Sequence, residues 1–213
     1  VAVPKEAQLK KFLVACLAAL CVIAVLPQNL SAGIGFKGGL SLSRLVIDPA
    51  ESFPFSIKDL NGPVGGIFFG AGLGPLAFQT EILYARMGMK GQATDAQLQY
   101  RMDYIQVPLT LKVRVPAGPV RPVVIAGGYG SYLLKAKGVL VTPTGTESAD
   151  LGDEFKKFDY GVLGGVGLEF KLPGILLTIE GRYNFGLADI VKESGEGVSI
   201  KNRSIMVLAG IGF

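Results

Sequence analysis

The sequence predicts an all-β fold, an eight-stranded antiparallel up-and-down transmembrane β-barrel preceded by an N-terminal export signal. Three observations carry that expectation. From Gly33 onward, apolar and polar residues alternate with period two in eight segments. The links between segments are alternately long and short, as in barrels with tight turns at one membrane face and long loops at the other. Finally, one face of the segments is continuously apolar and edged with aromatics, while the opposite face carries the charges and most of the glycine.

Composition sets the limits. The 213 residues keep one composition after the start, which argues for a single domain. Thirty glycines, no Trp, no His, 49% hydrophobic and 18% charged residues are unusual for a water-soluble enzyme. The apolar residues do not gather into long blocks past residue 32, so helical spans are not expected there. A net charge of +4 without a dense Lys/Arg run leaves no electrostatic footprint for nucleic acid.

Residues 1–32 read as a secretory signal and residues 33–213 as the barrel domain. Lys5, Lys10 and Lys11 form a basic start, Phe12 to Leu26 an apolar stretch, and Leu30-Ser31-Ala32 a small-residue cleavage site. The apolar stretch of 15 residues is shorter than the roughly 20 a membrane-spanning helix needs, which favours cleavage over anchoring. Cys16 and Cys21 lie in this stretch, so the exported chain would carry no thiol. Leu13-Val14-Ala15-Cys16 resembles a lipoprotein processing box, but only four apolar residues precede the cysteine and a strongly apolar stretch follows it.

The eight segments follow in order. The first, 33–46, sets Ile34, Phe36, Leu40 and Leu42 against Lys37, Ser41 and Ser43. The second, 62–73, and the third, 76–88, are joined by a turn at Gly74-Pro75, and the third sets Phe78, Ile82 and Tyr84 against Gln79, Glu81 and Ala85. The fourth, 103–115, alternates from Ile105 to Val115 against Gln106, Thr110, Lys112 and Arg114, with Pro108 predicting a bulge or a weakly paired spot on the polar face. The fifth, 120–134, is apolar or Gly on both faces, so its phase is undetermined. The sixth, 158–171, and seventh, 175–189, are joined at Pro173-Gly174, and the eighth covers 202–213. Residues 47–61, 89–102, 135–157 and 190–201 read as polar loops.

The charges decide which face points inward. Lys37, Glu81, Lys112, Arg114, Asp159, Glu169, Lys171, Glu180 and Arg182 share the polar face, five positive against four negative. Facing lipid, each Lys or Arg near the midplane would cost roughly 2–4 kcal/mol. Inside a narrow lumen they can pair, so a lumen charge network is expected. Phe68, Leu83, Leu163, Met206 and Leu208 share that face, and eight strands leave an interior only wide enough for side chains, so the lumen should be plugged. On the apolar face, Phe36, Phe78, Phe170 and Phe213 fall near the short-turn end. Tyr84, Tyr160, Tyr183 and Phe185 fall near the long-loop end, so two aromatic girdles are expected.

Catalytic and cofactor chemistry find no support. Without His, a histidine-dependent nucleophile is excluded, and with no His or exported Cys the usual transition-metal ligands are missing, so no catalytic residue, metal or cofactor is expected. Gly33-Ile34-Gly35-Phe36-Lys37-Gly38 matches G-x-G-x-x-G but opens a strand with no helix after it, which speaks against a phosphate cradle. Glu169 and Glu180 on neighbouring strands are better read as ion-pair partners than as an acid and base, because an unpaired buried carboxylate is costly. Phe53, Pro54, Phe55 and Ile57 form an apolar cluster in the first loop, either a contact for a partner or a segment folded on the rim or lipid.

Five stretches carry a resemblance: GIGFKGGLSLS at 33–43, FQTEILYARMG at 78–88, YIQVPLTLKVRVP at 104–116, FDYGVLGGVGLEFKL at 158–172 and EGRYNFGLADI at 180–190. Together they resemble the PorT-type, porin-family outer-membrane β-barrel domain of Bacteroidetes. The resemblance implies an integral outer-membrane barrel, and the member that names the family is an accessory of a protein secretion system. The terminal Phe213 is similar to the signal read by barrel assembly machinery. The expected function is therefore a non-enzymatic outer-membrane barrel acting through extracellular loops and their protein partners, or as an envelope or secretion-complex component. The alternative is a small porin-like channel. Arg44, Arg86 and Arg203 continue the apolar face at the long-loop end. They are either contacts for outer-leaflet lipid and lipopolysaccharide phosphates or ordinary rim arginines.

Overall fold

The structure, a computed structural model, describes residues 31–48, 56–92, 97–142, 145–192 and 199–213. The expected leader lies outside these residues, except that Ser31 and Ala32 already pair with Gly72 and Ala71. Of the apolar cluster in the first loop, Phe53 to Phe55 also lie outside, and the backbone of Ile57 pairs with Gly91.

Nine strands are present: β1 (Ser31–Asp48), β2 (Ser56–Leu73), β3 (Leu76–Gln92), β4 (Gln97–Arg114), β5 (Val120–Thr142), β6 (Gly145–Asp150), β7 (Phe158–Leu172), β8 (Ile175–Gly186) and β9 (Ser199–Gly212). All pairings are antiparallel, in the order β4-β3-β2-β1-β9-β8-β7-β5, and β4 pairs with β5 to close the ring. Eight strands thus make an up-and-down barrel, sealed between the first and last strands by β1–β9. Closure leaves no unpaired sheet edge at membrane depth, which hydrocarbon would not tolerate.

The ninth strand, β6, departs from expectation. Residues 135–157 read as a polar loop, yet β5 runs 23 residues to Thr142 and forms a hairpin with β6 beyond the ring. The loops expected at 47–61 and 89–102 are likewise mostly strand, since β2 starts at Ser56, β3 reaches Gln92 and β4 starts at Gln97. The physical reason is the solvent. Period-two hydrophobicity reports a contrast between lipid outside and packed lumen inside, and past the membrane water replaces lipid. Pairs such as Lys90 with Gln99 keep the ladder going without the apolar signal.

Turn chemistry follows the sequence. Gly74 and Gly174 sit in the two tight hairpins with φ of 60° and 74°, a region closed to most side chains. Pro108 has no N–H to give, and the β3–β4 ladder lapses between Thr80–Leu109 and Leu83–Gln106 without a change of register. Thr80 Oγ1 donates to the Pro108 carbonyl at 3.1 Å across that gap. The fifth strand's phase is now fixed: Val123, Ile125, Tyr129 and Leu133 are buried inside, whereas Val120 and Val124 face out. Apolar residues on both faces hid this from pattern reading.

Outward residues are exposed apolar ones, among them Phe36, Leu40, Leu109, Val124, Val166 and Val207. By the rule that outer-membrane barrels keep their short turns on the periplasmic side, the tight turns are expected at that end. In a background with Cys16 and Cys21 changed to Ala, Ser148→Cys on β6 should react with a membrane-impermeant maleimide on intact cells. Ala117→Cys in the β4–β5 turn should react only after the outer membrane is permeabilised. The opposite labelling pattern would invert the barrel.

Candidate functional site: the lumen and the outer rim

Side chains that alternate inward from five strands meet in the half of the lumen nearer the tight turns. Lys37 comes from β1, Glu81 from β3, Lys112 and Arg114 from β4, Glu169 from β7, and Glu180 and Arg182 from β8. Glu180 is the hub. It accepts from Lys37 Nζ at 2.8 Å on both oxygens, from Lys112 Nζ at 2.6 Å and from Arg182 Nε at 2.9 Å. Glu81 receives the Arg182 fork at 2.7 and 2.6 Å, Lys37 Nζ at 2.8 Å, and the Gln79 amide. Glu169 accepts from Arg114 Nε at 2.7 Å and lies 3.5 Å from Lys112 Nζ.

Space for these long side chains comes from small neighbours. A Cβ on Gly210 would sit 2.8 Å from Lys37 Cγ, and one on Gly72 would sit 2.5 Å from Arg114 Nη1. Lys37 Nζ also lies 5.1 Å from the Phe68 ring centre, so an apolar lumen residue contributes a cation–π contact.

Two residues expected in the network are not in it. Asp159 is buried, but it lies ten positions along β7 from Glu169, about 33 Å at ~3.3 Å per residue, and therefore in the other half of the lumen. Its partner is a neutral amide, Asn202 Nδ2 at 2.9 Å. Lys171 is inward by alternation, but it stands two residues past Glu169, beside the Pro173-Gly174 turn, and is exposed at the mouth. The network as built holds four cations and three carboxylates.

The half of the lumen nearer the long strands is closed differently. Leu83, Met102, Tyr104, Leu133, Met206 and Leu208 are each at most 1% exposed and belong to one apolar cluster. Phe155 and Ile190, from the connections after β6 and β8, join the same cluster. Those connections are tied together by a Phe155–Val191 bridge and by Lys156 N donating to Ile190 O at 2.7 Å. Sequence reading placed Phe68, Leu83, Leu163, Met206 and Leu208 inside, and all five are buried. It did not find Met102, Tyr104, Leu133, Phe155 or Ile190 as parts of the plug.

On the outer wall, Phe36, Phe78 and Phe213 are exposed near the tight turns, with Phe170 partly so. Tyr160 and Tyr183 are exposed near the other end, where Tyr84 and Phe185 are half-buried. Phe158, which pattern reading did not single out, stands beside Tyr160 with ring centres 6.5 Å apart. The three rim arginines differ from one another. Arg86 is held by Asp103 at 2.7 and 3.4 Å and donates to Tyr84 Oη at 3.0 Å. Arg44 forks onto Asp59 at 2.8 and 3.1 Å. Arg203 has no acidic partner among the described residues, and its guanidinium lies 4.4 Å over the Phe185 ring. Asp59 lies in a segment read as a loop, whereas Asp103 opens the fourth predicted segment and was not singled out there.

The family model described as outer membrane protein beta-barrel domain matches residues 26–192, and the chain belongs to that family. No curated protein matches the sequence. Among solved structures, the chain is similar to Neisserial surface protein A at 14% identity, covering 84% of this chain and 95% of that one, with a TM-score of 0.47. A major outer membrane protein of Thermus thermophilus is similar at 12% identity, with 86% and 98% covered and a TM-score of 0.47. Ail of Yersinia pestis is similar at 16% identity, with 85% and 99% covered and a TM-score of 0.41.

Removing the hub should be costly because it leaves three buried cations short of a partner. Glu180→Leu is expected to lower unfolding stability in detergent by about 3–5 kcal/mol, and Arg182→Leu by a similar amount through Glu81 and Glu180. Urea titration followed by circular dichroism or by heat-modifiable gel mobility measures this. Arg44→Gln, an exposed pair, should change little.

Proposed function

We propose that this outer-membrane β-barrel acts without an open pore, as a non-enzymatic component of the cell envelope that works through its extracellular face. The observation that carries this reading is the filled lumen, closed in one half by the ion network and in the other by the apolar plug that includes Phe155 and Ile190. A solute would have to displace both.

What the barrel offers outward supports the same reading. The strands from β1 to β5 run 17 to 23 residues, whereas a tilted span needs only about 9–11. The surplus projects past the bilayer as paired strands, and all six residues of β6 are exposed. A stiff crown of this kind costs less ordering entropy on meeting a protein partner than mobile loops would. The resemblance of the stretches at 104–116 and 158–172 to PorT-type domains favours a place in an envelope or secretion complex over a porin role.

A small channel is the second reading, favoured only by the unequal charge count in the network. Planar-bilayer recording of the purified barrel separates the two. The expected result is no large, steady conductance, and an open state on the nanosiemens scale would overturn the plugged reading. Replacing residues 138–149 with a short turn should leave a heat-modifiable barrel but reduce co-purification of protein partners from membranes extracted in mild detergent.

A further inference from the structure

Arg44 on β1 and Arg203 on β9 are direct cross-strand partners on the outer wall. One rung toward the periplasm the partners are Leu42 and Ile205, and the next outward-facing rung beyond the arginines pairs Val46 with Lys201. The wall therefore changes from aliphatic to basic at a single rung. Between these side chains lies a groove of about 280 Å³, lined by Leu42, Ile205 and Tyr183 on the rung nearer the membrane and by Arg44, Arg203 and Asp59 beyond it, with Val46 one outward rung further.

The two guanidinium groups are differently prepared. The Arg203 guanidinium carbon lies 4.4 Å over the Phe185 ring centre, and its Nε is buried with no acceptor among the described residues. Arg44 is held by Asp59, but that pair is exposed, with the arginine side chain 59% accessible, so an anion can compete for its fork. The groove gathers two cations against one carboxylate, and Lys201 stands one outward-facing rung further. Arg86 is excluded, since Asp103 and Tyr84 already take its donors.

We infer that this groove binds the phosphate of an outer-leaflet phosphorylated glycolipid of the lipid A class. The phosphate would lie between Arg44 and Arg203, and the upper acyl chains would lie along Leu42 and Ile205. Planar guanidinium forks match phosphate oxygens in pairs, and the apolar end of the groove selects a lipid over a free anion. The inference rests on the outward orientation used for the proposed function, but its test does not. Binding to the folded, delipidated protein in detergent is independent of orientation, which cysteine labelling reports separately.

The experiment titrates the folded full chain in neutral detergent with bis-phosphorylated lipid A, dephosphorylated lipid A, phosphatidylglycerol and inorganic phosphate, reading retained lipid by native mass spectrometry. Bis-phosphorylated lipid A should bind best. The R44Q/R203Q double variant should bind it about tenfold or more weakly, the loss expected of two charge-assisted contacts. R86Q should bind as the wild type does. Asp59→Asn should bind more tightly, because it frees the Arg44 fork; a site in which Asp59 merely props up the rim would lose affinity instead. Equal retention by the double variant, weaker binding by Asp59→Asn, loss with R86Q, equal binding of dephosphorylated lipid A, or displacement by inorganic phosphate at matched concentration would each overturn the assignment.

Discussion

The Glu180 carboxylate, shared by Lys37, Lys112 and Arg182, is the interaction on which the rest of the barrel depends. A barrel in hydrocarbon cannot place cations on its outer wall without a cost of roughly 2–4 kcal/mol for each at mid-depth. Turning them inward removes that cost only if each finds an anion, because the lumen is nearly as dry. With Glu81 and Glu169, Glu180 connects five of the eight ring strands across the interior. The ladder fixes which strands are neighbours, and the ion network fixes how strands that are not neighbours lie across the lumen.

This network also bears on one of the glycines of the lower lumen, most of which lie tight against the backbone of the neighbouring strand. Interior packing at native density leaves no room for both a full side chain and the stem of a lysine or arginine. Gly210, packed against the Lys37 stem and Thr178, is therefore a consequence of that packing rather than a sign of flexibility. The same two-zone interior separates roles by physics. The ion network is directional and joins strands that are not neighbours, whereas the plug of Met102, Tyr104, Leu133 and Met206 excludes water.

Most of the ring was legible from residues, and the gaps have identifiable causes. Alternation located the eight ring strands, and the phase of Lys37, Glu81, Lys112, Glu169, Glu180 and Arg182 followed from the aliphatic residues between them. Alternation gives a face but not a depth, which is why Asp159 and Lys171 were grouped with charges they do not reach. It also fails where the contrast between the faces vanishes. That happened in the fifth segment, where Val123 and Val124 look alike, and above the membrane, where β6 and the ends of β2 to β4 have water on one side. Asp59, the partner of Arg44, was lost for the same reason, since a residue assigned to a loop has no face; alternation puts Asp103 on the outer face but does not say which residue stands opposite it across the ladder.

The rim arginines show how a single residue type divides by local partners. Three arginines at similar positions in the alternation would carry similar weight in a charge count. The ladder gives them different surroundings: Arg86 sits opposite Asp103 on β4, Arg44 reaches Asp59 on β2, and Arg203 lies between Arg44 on β1 and Phe185 on β8 with no acidic partner among the described residues. A donor already matched to a carboxylate contributes mainly to joining strands, and exposed pairs of that kind are worth little to stability. A donor set against a ring keeps its in-plane hydrogen-bonding edge, and its desolvation is only partly offset by the π contact. Of the three, Arg203 is therefore the one without an acidic partner among the described residues, and it stands at the rung where the aliphatic wall ends.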